Sequence, residues 1–217
     1  MKSNNIVGKR SRGETKPRIL ILFYSLYGHV YELAKAAEKG IKDQGGEPVL
    51  ATVSELIPKK NWSVAIKKNK EDMSKIKEAD PIESLKDIDG ILVGSSSRFG
   101  IMSAQMKGFW DQTSEALNKK LLEGKPAAVF GASAAQHAGN EISLFSMIVP
   151  LIHHGCLIVG LPLSNRELFS IDEMSGGTPY GATTVTGELG EKLPSEKELH
   201  LASVLGARVT SIAAKLK

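Results

Sequence analysis

The chain of 217 residues holds a single cysteine, Cys156, which excludes an internal disulfide framework and reads as a buried apolar filler rather than a nucleophile. With one thiol, five histidines and no His-x-x-x-His spacing, no credible zinc ligand set remains. No stretch stays apolar for about eighteen residues, so no membrane span is expected, and the N-terminus lacks the apolar core of a signal peptide. A cytoplasmic location is the expectation. Two common phosphate loops are also missing. There is no Gly-rich stretch ending in Lys-Ser or Lys-Thr and no Gly-x-Gly-x-x-Gly, which excludes the Walker loop and the dinucleotide fingerprint.

What is present is an ordinary globular composition, 41% hydrophobic and 24% charged, long enough for one sizeable core. The net charge of +4 is inflated by the first eighteen residues, where Lys2, Lys9, Arg10, Arg12, Lys16 and Arg18 face only Glu14. Residues 1–17 read as a basic, disordered leader and 18–217 as a single domain. The leader has neither aromatic interleaving nor a basic helix, so no nucleic-acid partner is expected. Residues 58–80 are rich in Lys, Glu and Asp, with Trp62, Val64 and Ile66 as apolar anchors, and read as a charged surface excursion.

The most informative stretch runs from Arg18 to Val30. An apolar run, Ile19 to Tyr24, reads as a strand buried on both faces, and it breaks into Ser25-Leu26-Tyr27-Gly28-His29 before a helix with apolar Val30, Leu33, Ala34, Ala37 and Ile41. A helix start has N–H groups without intrahelical partners and a partly positive end, which suits a phosphate. A turn that only caps the helix has the same layout. Further strands are expected at Pro48 to Val53, Gly90 to Gly94, Ala127 to Gly131 and Cys156 to Leu161, mostly alternating with helical pattern. That alternation means a parallel sheet with helices on both faces. Ser195 and Glu198 have the spacing of a capping box for a last helix running to about Lys215.

Ligands in such sheets sit beyond the carboxyl ends of the strands, so the loops after Tyr24, Gly94, Gly131 and Leu161 are expected to converge. The second of these, Ser95-Ser96-Ser97-Arg98-Phe99-Gly100, suits backbone hydrogen bonding to a planar heterocycle with Phe99 along its edge. A plain turn with Arg98 solvated and Phe99 in the core is the alternative. The third, Ala132-Ser133-Ala134-Ala135-Gln136-His137, has small side chains that let backbone amides approach a ligand closely.

From Arg18 to Lys217 the chain resembles the WrbA-type NAD(P)H:quinone oxidoreductases, flavodoxin-like FMN proteins. The segments that carry the resemblance are Tyr24-Ser25-Leu26-Tyr27-Gly28-His29-Val30, Arg98-Phe99-Gly100 with Met102-Ser103 and Gln105-Met106, Asp111-Gln112-Thr113, His153-His154-Gly155, Glu167-Leu168-Phe169 and Gly176-Gly177-Thr178-Pro179-Tyr180-Gly181-Ala182-Thr183-Thr184. The resemblance implies a flavodoxin-like α/β three-layer sandwich with a five-stranded parallel sheet, FMN at its carboxyl edge and a homotetramer whose neighbouring subunits help wall the site. Carried over by position, Ser25, Leu26, Tyr27, Gly28, His29 and Val30 hold the FMN phosphate, and Ser97, Arg98 and Phe99 meet the isoalloxazine. Ala132, Ser133, Ala134, Ala135, Gln136 and His137 supply its other edge, and His153 contacts the pyrimidine. Tyr27 also meets the nicotinamide cofactor, and Leu117 stands at the substrate position. The implied reaction is ping-pong: a hydride passes from NADH or NADPH to the flavin, then a quinone is reduced by two electrons, with no side chain as a catalytic group and no metal.

Four departures from the family pattern bear on the site. The third flavin loop has Ala, Ser and Gln where Thr and Gly are usual, and is one residue longer. Leu117 replaces a Trp, Leu163 replaces a Tyr, and Ile101 replaces an Asn after Arg-Phe-Gly. The altered loop keeps open a reading as an oligomeric binding protein with weak or lost FMN. A one-electron carrier is disfavoured, because carriers dock through acidic faces and this chain is basic to neutral.

Overall fold

Ile19, Ile21 and Phe23 face one side of strand β1 (Arg18–Tyr24) and Leu20, Leu22 and Tyr24 the other, and both sets are buried in separate cores. A strand covered on both faces has no polar side, which is why the run is apolar throughout. The structure is a computed structural model that describes residues 15–217. Most of the expected basic leader therefore lies outside the described residues.

After β1 come α1 (His29–Asp43), β2 (Glu47–Thr52), α2 (Val64–Asp72), β3 (Lys77–Glu78), β4 (Gly90–Ser96), α3 (Ala104–Asp111) and α4 (Ser114–Asn118). Then follow β5 (Pro126–Ser133), α5 (Asn140–His153), β6 (Leu157–Ile158), β7 (Ala182–Val185) and α6 (Glu196–Leu216). The strands run parallel in the order β3-β2-β1-β4-β5-β6, with β7 also paired to β5. α1 and α6 cover the face of Ile19 and Phe23 with Leu33, Ala37, Leu205 and Val209. α3 and α5 cover the other with Met106, Phe109, Leu144 and Leu151. All five expected apolar positions of α1 are buried, and Cys156 is buried beneath α5. Among the described residues no helix is long and apolar enough to cross a membrane.

The sheet has seven strands rather than the expected five, because one edge is split and the other extended. β6 pairs with the beginning of β5, through Pro126 with Leu157 and Ala127 with Ile158. β7 pairs with its end, from Phe130 with Ala182 to Ser133 with Val185. The strand expected over Cys156 to Leu161 stops early: Val159 N still donates to Ala127 O, but Leu161 N turns to Pro179 O on the returning chain, and Pro162 has no N–H to continue the ladder. The carboxyl-edge loop at this position is therefore the one after Val185, not the one after Leu161.

The charged segment 58–80 is more ordered than its composition suggests. It contains α2, capped by the Ser63 side chain accepting from Ile66 N, and the two-residue edge strand β3. Of its expected anchors Ile66 is buried and Trp62 partly so, whereas Val64 is 84% exposed. Asn69, not singled out in the sequence, is buried.

Candidate functional site

The chain leaves the sheet at Ser25 and enters α1 through Gly28, whose φ of +102° lies in the left-handed region that favours glycine. Gly28 has no side chain to cap the helix. Ser25, buried three residues earlier, supplies the oxygen instead: its Oγ accepts from Gly28 N at 3.1 Å and Tyr31 N at 3.2 Å. The turn is thus closed tightly while the helix start faces outward, the arrangement that favours an anion.

The loops after β4 and β5 lock against each other beside this turn. Ser97 N donates to Ala132 O at 2.7 Å and Ser97 Oγ to Ala138 O at 3.2 Å. At Gly139 an added Cβ would come within 2.7 Å of Gly100 Cα, so the two loops touch backbone to backbone. Between these loops and the turn lies a cavity of about 360 Å³, within the range of small-molecule sites. Ser25, Leu26, Tyr27, His29, Val30, Ser97, Arg98, Ala132, Ser133 and Ala134 line it. Ten of the sequence-predicted positions therefore meet at one place, with Gly28 as the backbone bend among them.

Ser96 also lines the cavity, and its buried Oγ has no hydrogen-bond partner. A buried hydroxyl without a partner is costly, and this one is closed off from the open cavity. The glycine turn at a helix start and the small side chains of Ala132 and Ala134 fit a ligand with a phosphate at one end and a planar ring at the other.

The remaining predicted positions fall elsewhere in the isolated chain. Phe99 sits at the tip of a tight hairpin closed by Arg98 and Ile101, with φ +54° and its ring in solvent. Ala135, Gln136 and His137 form an exposed turn beyond the cavity wall. His153 and Leu117 share a second groove with Trp110 and His154. The reason is the direction of α5: it starts beside the cavity at Asn140 and runs back along the sheet, so His153 lies roughly 20 Å down the helix.

The segment Thr186 to Gly190, which sequence reasoning did not single out, completes the cavity wall. Its signal was the short β-branched run ending at Val185 and breaking at Gly187, the same strand-then-glycine layout as at β1. It is stapled to α1, because His29 Nε2 lies 3.0 Å from Gly190 O and must carry the proton to donate to that carbonyl. Burial holds His29 below its ordinary value near 6.5, against the opposing pull of the Gly190 carbonyl, so the ring is neutral at pH 7. The unfolded chain then takes up this proton first as pH falls below about 6.5, and native stability declines from there until the folded-state pKa is passed. Urea unfolding at pH 7 and pH 5 is expected to show a smaller loss for His29→Gln than for the wild type. Equal losses would show that His29 is not the group titrating.

Three kinds of likeness to known proteins coincide with this geometry. Residues 17–162 match the family described as NADPH-dependent FMN reductase. A protein of Chromohalobacter salexigens named NAD(P)H dehydrogenase (quinone) is 43% identical over 201 residues, covering 92% of this chain and 98% of its own length. A protein of the same name from Rhizobium rhizogenes is 41% identical over 202 residues, with the same coverage. Among solved structures, a flavodoxin described as a WrbA-like protein from Agrobacterium tumefaciens superposes with a TM-score of 0.61 at 18% identity, covering 93% of this chain and all of that one. A flavodoxin from the domain Archaea gives 0.58 at 16% identity over 91% of this chain and 99% of its own. These two structures share the flavodoxin-like fold with the chain.

Proposed function

The chain belongs to the NADPH-dependent FMN reductase family, and from that membership we propose that the sheet-edge cavity holds FMN and that the protein reduces quinones by two electrons at the expense of NAD(P)H. The observation that carries the reading is the glycine turn at the start of α1, which meets the loops after β4, β5 and β7 around one cavity. FMN, when bound, supplies the hydride-accepting and hydride-donating ring; the protein binds and orients it.

In this reading the backbone from Ser25 to Val30 holds the phosphate, and Ser25 keeps the turn closed around it. Ser97 and Arg98 line the ring end of the cavity, and Ala132, Ser133 and Ala134 present small side chains along its other edge. Arg98 lends a positive charge to the cavity wall, which would favour a ligand that carries negative charge there. Tyr27, half exposed at the rim, is placed to pack against a nicotinamide. NADH and NADPH both fit the reading.

His153 and Leu117 reach a flavin only if a neighbouring subunit presents them. The outer face of α5 supports that assembly: Ile142, Phe145, Val149 and Ile152 recur three and four residues apart and are all exposed in the single chain. A homotetramer of the kind implied by the family resemblance would cover this stripe and bring the second groove toward a neighbour's cavity.

Steady-state oxidation of NADH or NADPH by the FMN-loaded protein with benzoquinone tests the activity. Parallel reciprocal plots, and no turnover without FMN, are expected. Reduction of the bound flavin by NAD(P)H with no acceleration on adding quinone would leave the flavin site and refute quinone reduction.

A further inference from the structure

Helix α2 belongs to the charged segment that looked like mere surface, yet it reaches under the phosphate turn. Its Asn69 is 5% exposed, and Nδ2 donates to Ser25 O at 2.9 Å and Leu26 O at 3.2 Å. Asn is a poor helix former, and a carboxamide buried here must be matched by what it bonds. Both partners are backbone carbonyls of the turn, 43 and 44 residues away in sequence.

The helix that carries Asn69 is itself fixed to the end of β1. Lys70 pairs with Glu55 at 2.7 Å, with both side chains less than a fifth exposed. Glu55 also accepts from Tyr24 Oη at 3.1 Å and Gln105 Nε2 at 3.0 Å. The last residue of β1 and the first two carbonyls of the turn are therefore tied to one element.

A trans peptide unit points its C=O and its N–H in opposite directions. With the carbonyls of Ser25 and Leu26 drawn toward α2, the N–H groups of the next residues, Leu26 and Tyr27, are turned away from it. Both residues line the cavity, and among the described residues no hydrogen bond employs either N–H. We propose that Asn69 is a positioning residue for the phosphate: by holding two carbonyls from behind it aims the Leu26 and Tyr27 N–H groups at the anion.

This inference rests on the FMN reading, and the test separates the two. Apoprotein of the wild type, Asn69→Asp and Asn69→Ala is titrated with FMN and with riboflavin, which lacks the phosphate, by quenching of flavin fluorescence. Asp keeps the shape but sets a carboxylate oxygen against two carbonyls; Ala removes both bonds without repulsion and serves if the Asp protein does not fold. FMN affinity is expected to fall about ten-fold for Ala and further for Asp, the size expected for two lost hydrogen bonds, with riboflavin affinity unchanged. Equal losses for FMN and riboflavin would mean a general structural role and overturn the proposal. Variants that bind FMN as the wild type does would overturn it while leaving the FMN reading intact. A wild type that takes up neither flavin would overturn the FMN reading and the proposal with it.

Discussion

Gly28→Val is expected to yield a folded protein that retains no FMN. At φ +102° a β-branched residue is strained by about 1–3 kcal/mol, and its Cβ would stand 3.3 Å from Asn69 Oδ1, closer than ordinary contact. The chain can relieve both only by rotating the peptides on either side of residue 28. That rotation removes the helix-start N–H groups from the phosphate position, so strain and lost contacts add. A loss of affinity of at least about 100-fold is expected, equivalent to the upper part of that strain range. Flavin absorbance after desalting reads the binding, and far-ultraviolet circular dichroism reads the fold. A variant with wild-type affinity would show that the phosphate does not sit at this turn.

Glu198→Ala is expected to be strongly destabilising. Glu198 is fully buried at the start of α6 and accepts from Gly176 N and Ser195 N at 2.7 Å, Thr184 Oγ1 at 2.9 Å and Val185 N at 3.2 Å. One carboxylate thus caps α6 and pins both ends of the segment that delivers β7 to the sheet. Removing it leaves several buried donors unpaired, at about 1–3 kcal/mol each, so a loss of about 4 kcal/mol or more is expected from a total stability on the order of 5–15 kcal/mol. Urea unfolding measures it. Glu198→Gln, which keeps one acceptor oxygen, is expected to fall between the two. Because β7 leads directly to Thr186–Gly190, the Ala variant is also expected to release flavin more readily. A change below about 1 kcal/mol would show that water replaces the carboxylate without cost.

The parts of this molecule that were legible in the sequence are those set by local pattern. β1 is visible because a strand covered on both faces must be apolar at every position, and α1 because Val30, Leu33, Ala34, Ala37 and Ile41 share one face. The capping box at Ser195 and Glu198 is present as read, and its helix ends within a residue or so of the expected end. The cavity wall from Ser25 to Ala134 was legible because small and hydroxylated residues follow buried strands.

What was not legible depends on partners distant in the chain. The split between β6 and β7 follows from where Leu161 N finds its acceptor, a contact with Pro179 that no local pattern encodes. Asn69 was invisible for the same reason: a polar residue among Lys and Glu looks solvated until its carbonyl partners 43 and 44 residues away are known. The distance of His153 from the cavity in one chain follows from the direction and length of α5, which a motif read residue by residue does not convey.

Size-exclusion chromatography of the purified protein mixed with FMN tests the central claim most directly. One flavin per chain, co-eluting with the protein and showing the perturbed absorbance of a bound ring, is the predicted result. Protein that elutes colourless, with all the flavin in the small-molecule fraction, would contradict an FMN site at this sheet edge.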